Sequence, residues 1–265
     1  MDHLTTKGTA LSTHGTAILF QGQDSRIDVA FGVQVTSTGL FAFSSSFVDL
    51  QNAGNSLFNQ GTIPSVAGPA VTTSGTDQTI GNSGLIEGGI AGMGMWGARS
   101  VVYNDGTIRN LAEDSNAAAA WIHYGGSQLD TSGTIASVGV NSAAVVLQGN
   151  QGAVGFIHNS GSITSAGGRG IESGVPIRNS GTIEGLFGAI QTSGGVLVNS
   201  GTINGEVRFL YGDDLYDGIG DPNSNPAGVV NSVINGGAGN DTYRIGVVGA
   251  QIGELAREGV DTVEA

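Results

Sequence analysis

Residues 206–265 carry ten acidic and three basic side chains, so this short tail holds −7 of the chain's formal net charge of −13. Carboxylates gathered at that density point to a cation partner. The chain has no cysteine, so any metal it holds must be taken by oxygen ligands, the donors that hard divalent cations prefer. The acids also recur in step. Gly212-Asp213-Asp214-Leu215-Tyr216 aligns with Gly239-Asn240-Asp241-Thr242-Tyr243, and both align with Gly259-Val260-Asp261-Thr262-Val263. Aligned in this way, Asp214, Asp241 and Asp261 form one column, and Asp217-Gly218-Ile219-Gly220-Asp221 offers a further half-site.

Acids so far apart along the chain meet only if the chain itself repeats, and it does. Asn-x-Gly-x-Ile occurs at Asn59–Ile63, Asn82–Ile86, Asn104–Ile108, Asn159–Ile163, Asn179–Ile183 and Asn199–Ile203. Degenerate copies stand at Thr13–Ala17, Ser37–Phe41 and Thr131–Ile135. The phrase glycines are Gly15, Gly39, Gly61, Gly84, Gly106, Gly133, Gly161, Gly181 and Gly201, so the step is short and nearly even. A fixed phrase with slack between copies is the mark of a solenoid. A unit this short cannot hold two packed helices, but it suits three short strands joined by corners. Val, Ile, Thr, Ser and Gly dominate, and no helical period persists.

The pattern therefore predicts an all-β fold, a right-handed parallel β-helix of about nine to twelve coils. Each coil gives its backbone hydrogen bonds to the next at about 4.8 Å. The Ile column fills the interior. The Gly column marks a corner where a Cβ would clash or φ must be positive. The Asn column pairs side-chain amides from coil to coil. Asn116–Tyr124 departs from the pattern and reads as a bulged loop or a single helical turn.

One stretch of the tail carries a resemblance. Gly236-Gly237-Ala238-Gly239-Asn240-Asp241-Thr242-Tyr243-Arg244 matches Gly-Gly-x-Gly-x-Asp-x-apolar-x and so resembles the RTX, or haemolysin-type, calcium-binding repeat. The resemblance implies that calcium sits between turns of successive coils. Carbonyls of Gly236, Gly237, Gly239 and Asn240 and the Asp241 carboxylate would supply oxygens, with Asp214 and Asp261 in equivalent places and Tyr243 facing the core. It further implies export by a type I route, calcium ordering of the tail outside the cell and an extracellular setting. The chain opens Met1-Asp2-His3 without a basic start or apolar signal core, which agrees. It ends directly after a motif copy, which suggests a piece of a longer protein. The expected division is 1–205, the Asn-x-Gly-x-Ile solenoid, and 206–265, its acidic RTX-like continuation.

A net charge of −13 argues against nucleic acid as a partner, and no apolar run is long enough for a membrane span. The expected function is that of a structural or adhesive module, with calcium and a glycan or cell surface as partners. The alternative is a carbohydrate-active β-helix enzyme. The residue before each phrase includes Tyr103, Asp130, His158 and Arg178, which register would set on four successive coils. Such a row contains the base, acid and cation that proton abstraction beside a sugar carboxylate needs. The four histidines, at 3, 14, 123 and 158, share no ligand spacing. Trp96 and Trp121 read as packing or cap residues, with sugar stacking as the alternative. A broken row of threonines (62, 107, 134, 182, 202) makes an ice-binding surface the third reading.

Overall fold

The computed structural model describes residues 3–6, 18–20, 23–35, 48–50, 52–113, 117–149, 155–193, 195–219 and 227–265. The degenerate phrases at 13–17 and 37–41, His14, and Gly220 and Asp221 of the half-site lie outside them. The chain winds as a solenoid with three parallel sheets of twelve, eleven and eight strands, which gives about eight complete turns. Among the described residues every strand pair is parallel, and none is helical. One turn shows the plan. Ser56–Asn59 lies in the first sheet, Thr62–Pro64 in the third and Val71–Thr73 in the second; the chain then re-enters the first sheet at Thr79–Asn82.

The strands are two to four residues long and alternate inward and outward, so each turn buries only a few side chains. Their columns make a single core. Ile63, Ile86, Ile108, Ile135, Ile163, Ile183 and Ile203 stack from the third sheet, all fully buried. Leu57, Ile80, Val102, Leu129, Ile157, Ile177 and Leu197 stack from the first, and Tyr216 and Tyr243 continue that column.

The phrase builds the corner between the first and third sheets. Asn59 Nδ2 donates to Asn82 Oδ1 at 2.8 Å, Asn82 to Asn104 at 2.8 Å, Asn159 to Asn179 at 2.7 Å and Asn179 to Asn199 at 2.8 Å. Each is an amide buried where a corner interrupts the backbone ladder, so the partner on the next coil satisfies it. The phrase glycines owe their place to contact. A Cβ on Gly84, Gly106, Gly133, Gly161, Gly181 or Gly201 would be driven into the carbonyl oxygen of the glycine one coil before. None of them has a positive φ, so of the two expected reasons only the clash applies.

The corner from the second sheet back to the first has its own rule. Asp24, Gly54, Asp77, Arg99 and Gly126 all adopt the left-handed conformation there, with φ of 50–78°. The next residue is buried and polar: Ser25, Asn55, Gln78, Ser100 and Ser127. Its side chain caps the coil before it. Ser25 N–H donates to Asn55 Oδ1 at 3.0 Å, Gln78 N–H to Ser100 Oγ at 3.2 Å and Ser100 N–H to Ser127 Oγ at 3.2 Å.

Of the stretch Asn116–Tyr124 expected to loop or turn helical, Asn116 lies outside the described residues, none of the rest is helical, and its middle is strand. Ala120–Ile122 joins the second sheet, with Ala118, Ala119 and Ala120 buried in the wall. The backbone ladder holds it there: Met93 N–H donates to Ala119 O at 2.9 Å and Ala120 N–H to Ala144 O at 2.9 Å.

The Asn ladder breaks at Thr131, whose hydroxyl takes Asn104 Nδ2 at 3.0 Å and donates to Asn104 O at 3.2 Å. Thr131→Asn should extend the ladder to Asn159 and stabilise the protein by about 1 kcal/mol. Gly133→Ala should cost about 1–3 kcal/mol by overpacking the corner. Denaturant midpoints of the two variants should therefore move in opposite directions, and a lower midpoint for Thr131→Asn would refute the ladder's role.

Candidate cation site

Asp214, Asp241 and Asp261 stand immediately before the first-sheet strands Leu215–Asp217, Thr242–Arg244 and Thr262–Glu264. Those strands pair Leu215 with Thr242 and Thr242 with Thr262, so the three acids occupy one column on successive coils. It is the column that holds Ser25, Asn55, Gln78, Ser100 and Ser127 earlier in the rod. The acids make the same cap. Asp214 N–H donates to Asp241 Oδ1 at 2.8 Å, and Asp241 N–H to Asp261 Oδ1 at 3.0 Å.

A neutral serine or asparagine performs that cap elsewhere, and here the residue carries a charge and a second oxygen. The second oxygens of Asp214 and Asp241 are buried without a hydrogen-bond partner, in residues that are 4% and 1% exposed. An unsatisfied buried carboxylate oxygen is costly unless a cation or proton meets it. Burial, and after it the Asp241 carboxylate, pushes the Asp214 pKa up from 3.8 to about 7. Burial raises Asp241 as well, and Asp261 adds to it.

The Gly236–Asp241 segment forms the corner that delivers Asp241. Gly237 and Gly239 have φ of 81° and 149°, positions that favour glycine. Gly236 has a different task. A Cβ there would occupy the space into which Asp241 Oδ2, the Tyr243 hydroxyl and Glu254 converge. Carboxylate oxygens of Asp241, Glu254 and Asp261 all lie within 4.8 Å of one another. Calcium–oxygen bonds of about 2.3–2.6 Å place opposite ligands about 5 Å apart, so one ion fits among these three. Asn240 sits on the outer side of the corner. It takes up Asp213 Oδ1 through its backbone N–H at 2.8 Å, and its own Oδ1 accepts from Val260 N–H at 3.0 Å.

Glu254, Asp213 and the Tyr243 hydroxyl do not follow from the motif. Glu254 lies one residue past Gly253, which pairs with Asn235, so it sits over Gly236 one coil later. Aligning Gly236 with Glu254 across that shorter step would have been the only sequence signal. Tyr243, buried as expected, donates its hydroxyl to Glu254 Oε1. Burial raises the pKa of both groups. A cleft of about 330 Å³ lined by Glu206, Asn235, Gly237, Glu254 and Glu258 opens beside the cluster and leaves room for water ligands. In the half-site, Asp217 forms an ion pair with Arg244 at 2.7 Å.

The other sequence candidates also fall in register. Tyr103, Asp130, His158 and Arg178 face outward on four successive first-sheet strands. Asp130 and His158 approach to 3.6 Å. The two clefts beside this row are lined by Phe58 and Tyr103 at one end and by His158 and Arg178 at the other, and Asp130 lines neither. The threonines do align, as Thr62, Leu85, Thr107, Thr134, Ser162, Thr182 and Thr202, but the outward column beside them mixes Pro64, Glu87, Arg109, Ala136 and Glu184. Glu87 is engaged by Arg109.

Comparison with protein-family models, with curated proteins and with solved structures returns no match to this chain.

With divalent cations chelated, the raised pKa values set a sign for pH. Folded-state values above the unfolded ones mean that the native coils hold protons the unfolded chain has lost. Stability of residues 206–265 should be fully present near pH 4 and fall as pH rises through about 7, the Asp214 value. Hydrogen exchange of these coils across that range reads it out. Asp214→Asn should flatten the slope, and an unchanged slope would separate the titration from Asp214.

Proposed function

We propose that this chain is a calcium-stabilised β-solenoid module with a structural or adhesive role in a larger extracellular protein. The observation that carries the cation reading is the replacement of neutral caps by Asp214, Asp241 and Asp261 in one corner column. Two buried carboxylate oxygens, one each on Asp214 and Asp241, are left without partners. A divalent cation held among Asp241, Glu254 and Asp261 would partner the Asp241 oxygen, and these carboxylates with nearby carbonyls are oxygen donors of the type calcium takes. Gly236–Arg244 keeps the spacing of the RTX-type repeat, which is why calcium is favoured over other hard cations. The same resemblance supports secretion by a type I route.

Bound at this place, the ion joins two successive coils, Asp241 from one and Glu254 and Asp261 from the next. It would act as a staple where the core is thinnest, since Val263 is 58% exposed in the column that buries Tyr216 and Tyr243. In a repeat array each coil rests on its neighbours, so ordering these coils also protects the rod before them. The exposed row from Tyr103 to Arg178 supports a glycan-processing enzyme less well. Its acid and histidine are joined to each other, the acid stands outside the neighbouring clefts, and the charge of −13 would repel uronate chains.

Calcium at millimolar concentration should raise the melting temperature of the C-terminal coils, because a ligand bound only to the native state stabilises it by mass action. Asp241→Asn keeps the cap to Asp214 and removes the charge. It should leave the calcium-free protein as stable or more so while abolishing most of the calcium response. Asp241→Ala should lose both the response and about 1–3 kcal/mol of calcium-free stability, since the Asp214 N–H is then orphaned. A calcium response retained in Asp241→Asn would remove this site from the reading.

A further inference from the structure

We infer that the outer face of the second sheet, between the coils of Trp96 and Gln191, is a binding site for a neutral glycan chain. The face carries two outward columns. One runs Thr72, Gly94, Trp121, Val146, Glu172, Gln191. The other holds Trp96, His123 and Gln148, joined through backbone bonds from His123 N–H to Met95 O and from Gln148 N–H to Ile122 O, both 2.9 Å.

Four aromatic rings gather at one end of this strip. The His123 ring lies 4.9 Å from Trp121 at an interplanar angle of 16° and 5.9 Å from Trp96 at 23°. Tyr124 adds a tilted ring 6.2 Å from His123. The cluster rests on a glycine. The Trp96 indole occupies the space over Gly94 that a side chain would fill, which brings it beside the column of Trp121. Trp96 and Tyr124 remain 40% and 47% exposed. Large rings left open on a rigid sheet are unusual without a partner. Gln148 orients the stack through a 3.2 Å contact between its Oε1 and His123 Nδ1.

The strip continues directly into a cleft of about 300 Å³ lined by Val146, Gln148, Glu172, Gln191, Ser193 and Leu210. Amides and hydroxyls that both donate and accept suit vicinal sugar hydroxyls, and aromatic surfaces suit the apolar face of a pyranose. The groups repeat at the coil rise of about 4.8 Å, close to the length of one sugar unit, so a chain laid along the axis meets one set per coil. Charge selects the ligand further. Arg169, beside the cleft, is held by Glu172 at 3.1 Å, and Arg208, one coil past Gln191, lines the acidic cleft of Glu206, Glu254 and Glu258. A polyanion, whether acidic glycan or nucleic acid, finds no welcoming cation on this strip and meets a chain of −13.

The aromatic end of the strip is remote from the cation site, with Trp96 six coils away, roughly 30 Å along the rod. Both tryptophans of the chain belong to the strip, so tryptophan fluorescence reports on it alone. Titration with hexasaccharides of β-1,4-glucan, β-1,4-xylan and β-1,3-glucan should give a saturable change with at least one of them, with or without a calcium chelator. Oligogalacturonate should give none. Trp96→Ala should weaken binding about tenfold or more. Gln191→Ala should weaken it severalfold with an unchanged melting temperature, which separates lost contact from lost fold. Absence of binding by all three neutral chains at about 10 mM, a level weaker than specific recognition, would overturn the inference. So would equal affinity for oligogalacturonate, or affinity unaffected by Trp96→Ala.

Discussion

Every coil in this protein must hand its hydrogen bonds to the next, and the corners are where that demand is hardest to meet. Along the flat walls, parallel pairing satisfies the backbone automatically. At a corner the chain turns away from its neighbour, and buried N–H and C=O groups lose their ladder partners. The two polar columns answer this in different ways. Asparagines at the first corner bond to each other, from Asn59 through Asn104 and again from Asn159 through Asn199. At the second corner a side-chain oxygen reaches back to cap the preceding coil. Glycine follows from the same constraint, because coils at this spacing leave no room for a Cβ beside the carbonyl below.

The cation reading grows out of the second of these columns. Serine, asparagine and aspartate offer nearly the same oxygen to the same N–H, so the cap alone does not explain a run of three acids. What distinguishes the C-terminal coils is charge: the unpartnered buried oxygens of Asp214 and Asp241 belong to carboxylates, where Gln78 earlier in the column leaves only a neutral amide oxygen so. Gly236 then withdraws its side chain, and Glu254 from the next coil fills the space with another carboxylate. Structural capping and ligand presentation are thus performed by the same residues, and Asp241→Asn separates them chemically.

The three sheets present different surfaces on a common frame. The first carries the row from Tyr103 to Arg178 and, farther on, Asp217, Arg244 and Glu264 linked by ion pairs. The third carries hydroxyls beside mixed charges. The second concentrates both tryptophans and the amides of Gln148 and Gln191. The inward residues are fixed by packing, whereas the outward ones vary without cost to the fold, so differences among faces are where partners would leave their mark.

Most of the architecture was legible in the sequence because a solenoid repeats locally. One phrase reports a corner, a clash and an inward isoleucine, and its recurrence at a short, nearly even step reports the stack. The Asp214, Asp241 and Asp261 column and the Tyr103 to Arg178 row followed from the same step, since neighbours in register are neighbours in space. Other features came only with the tertiary structure. The alanine run before Trp121 has no strand signature, and it joins the wall because its backbone meets Met93 on one side and Ala144 on the other. Glu254 belongs to no repeat phrase, and only the pairing of Gly253 with Asn235 set it over Gly236. The two tryptophans looked unrelated in the sequence, but Gly94 left a gap that let one indole lie beside the other's column. Sequence determined what recurs on each coil. Which irregular side chains meet was decided by the space left between coils, because that depends on what each neighbour leaves empty.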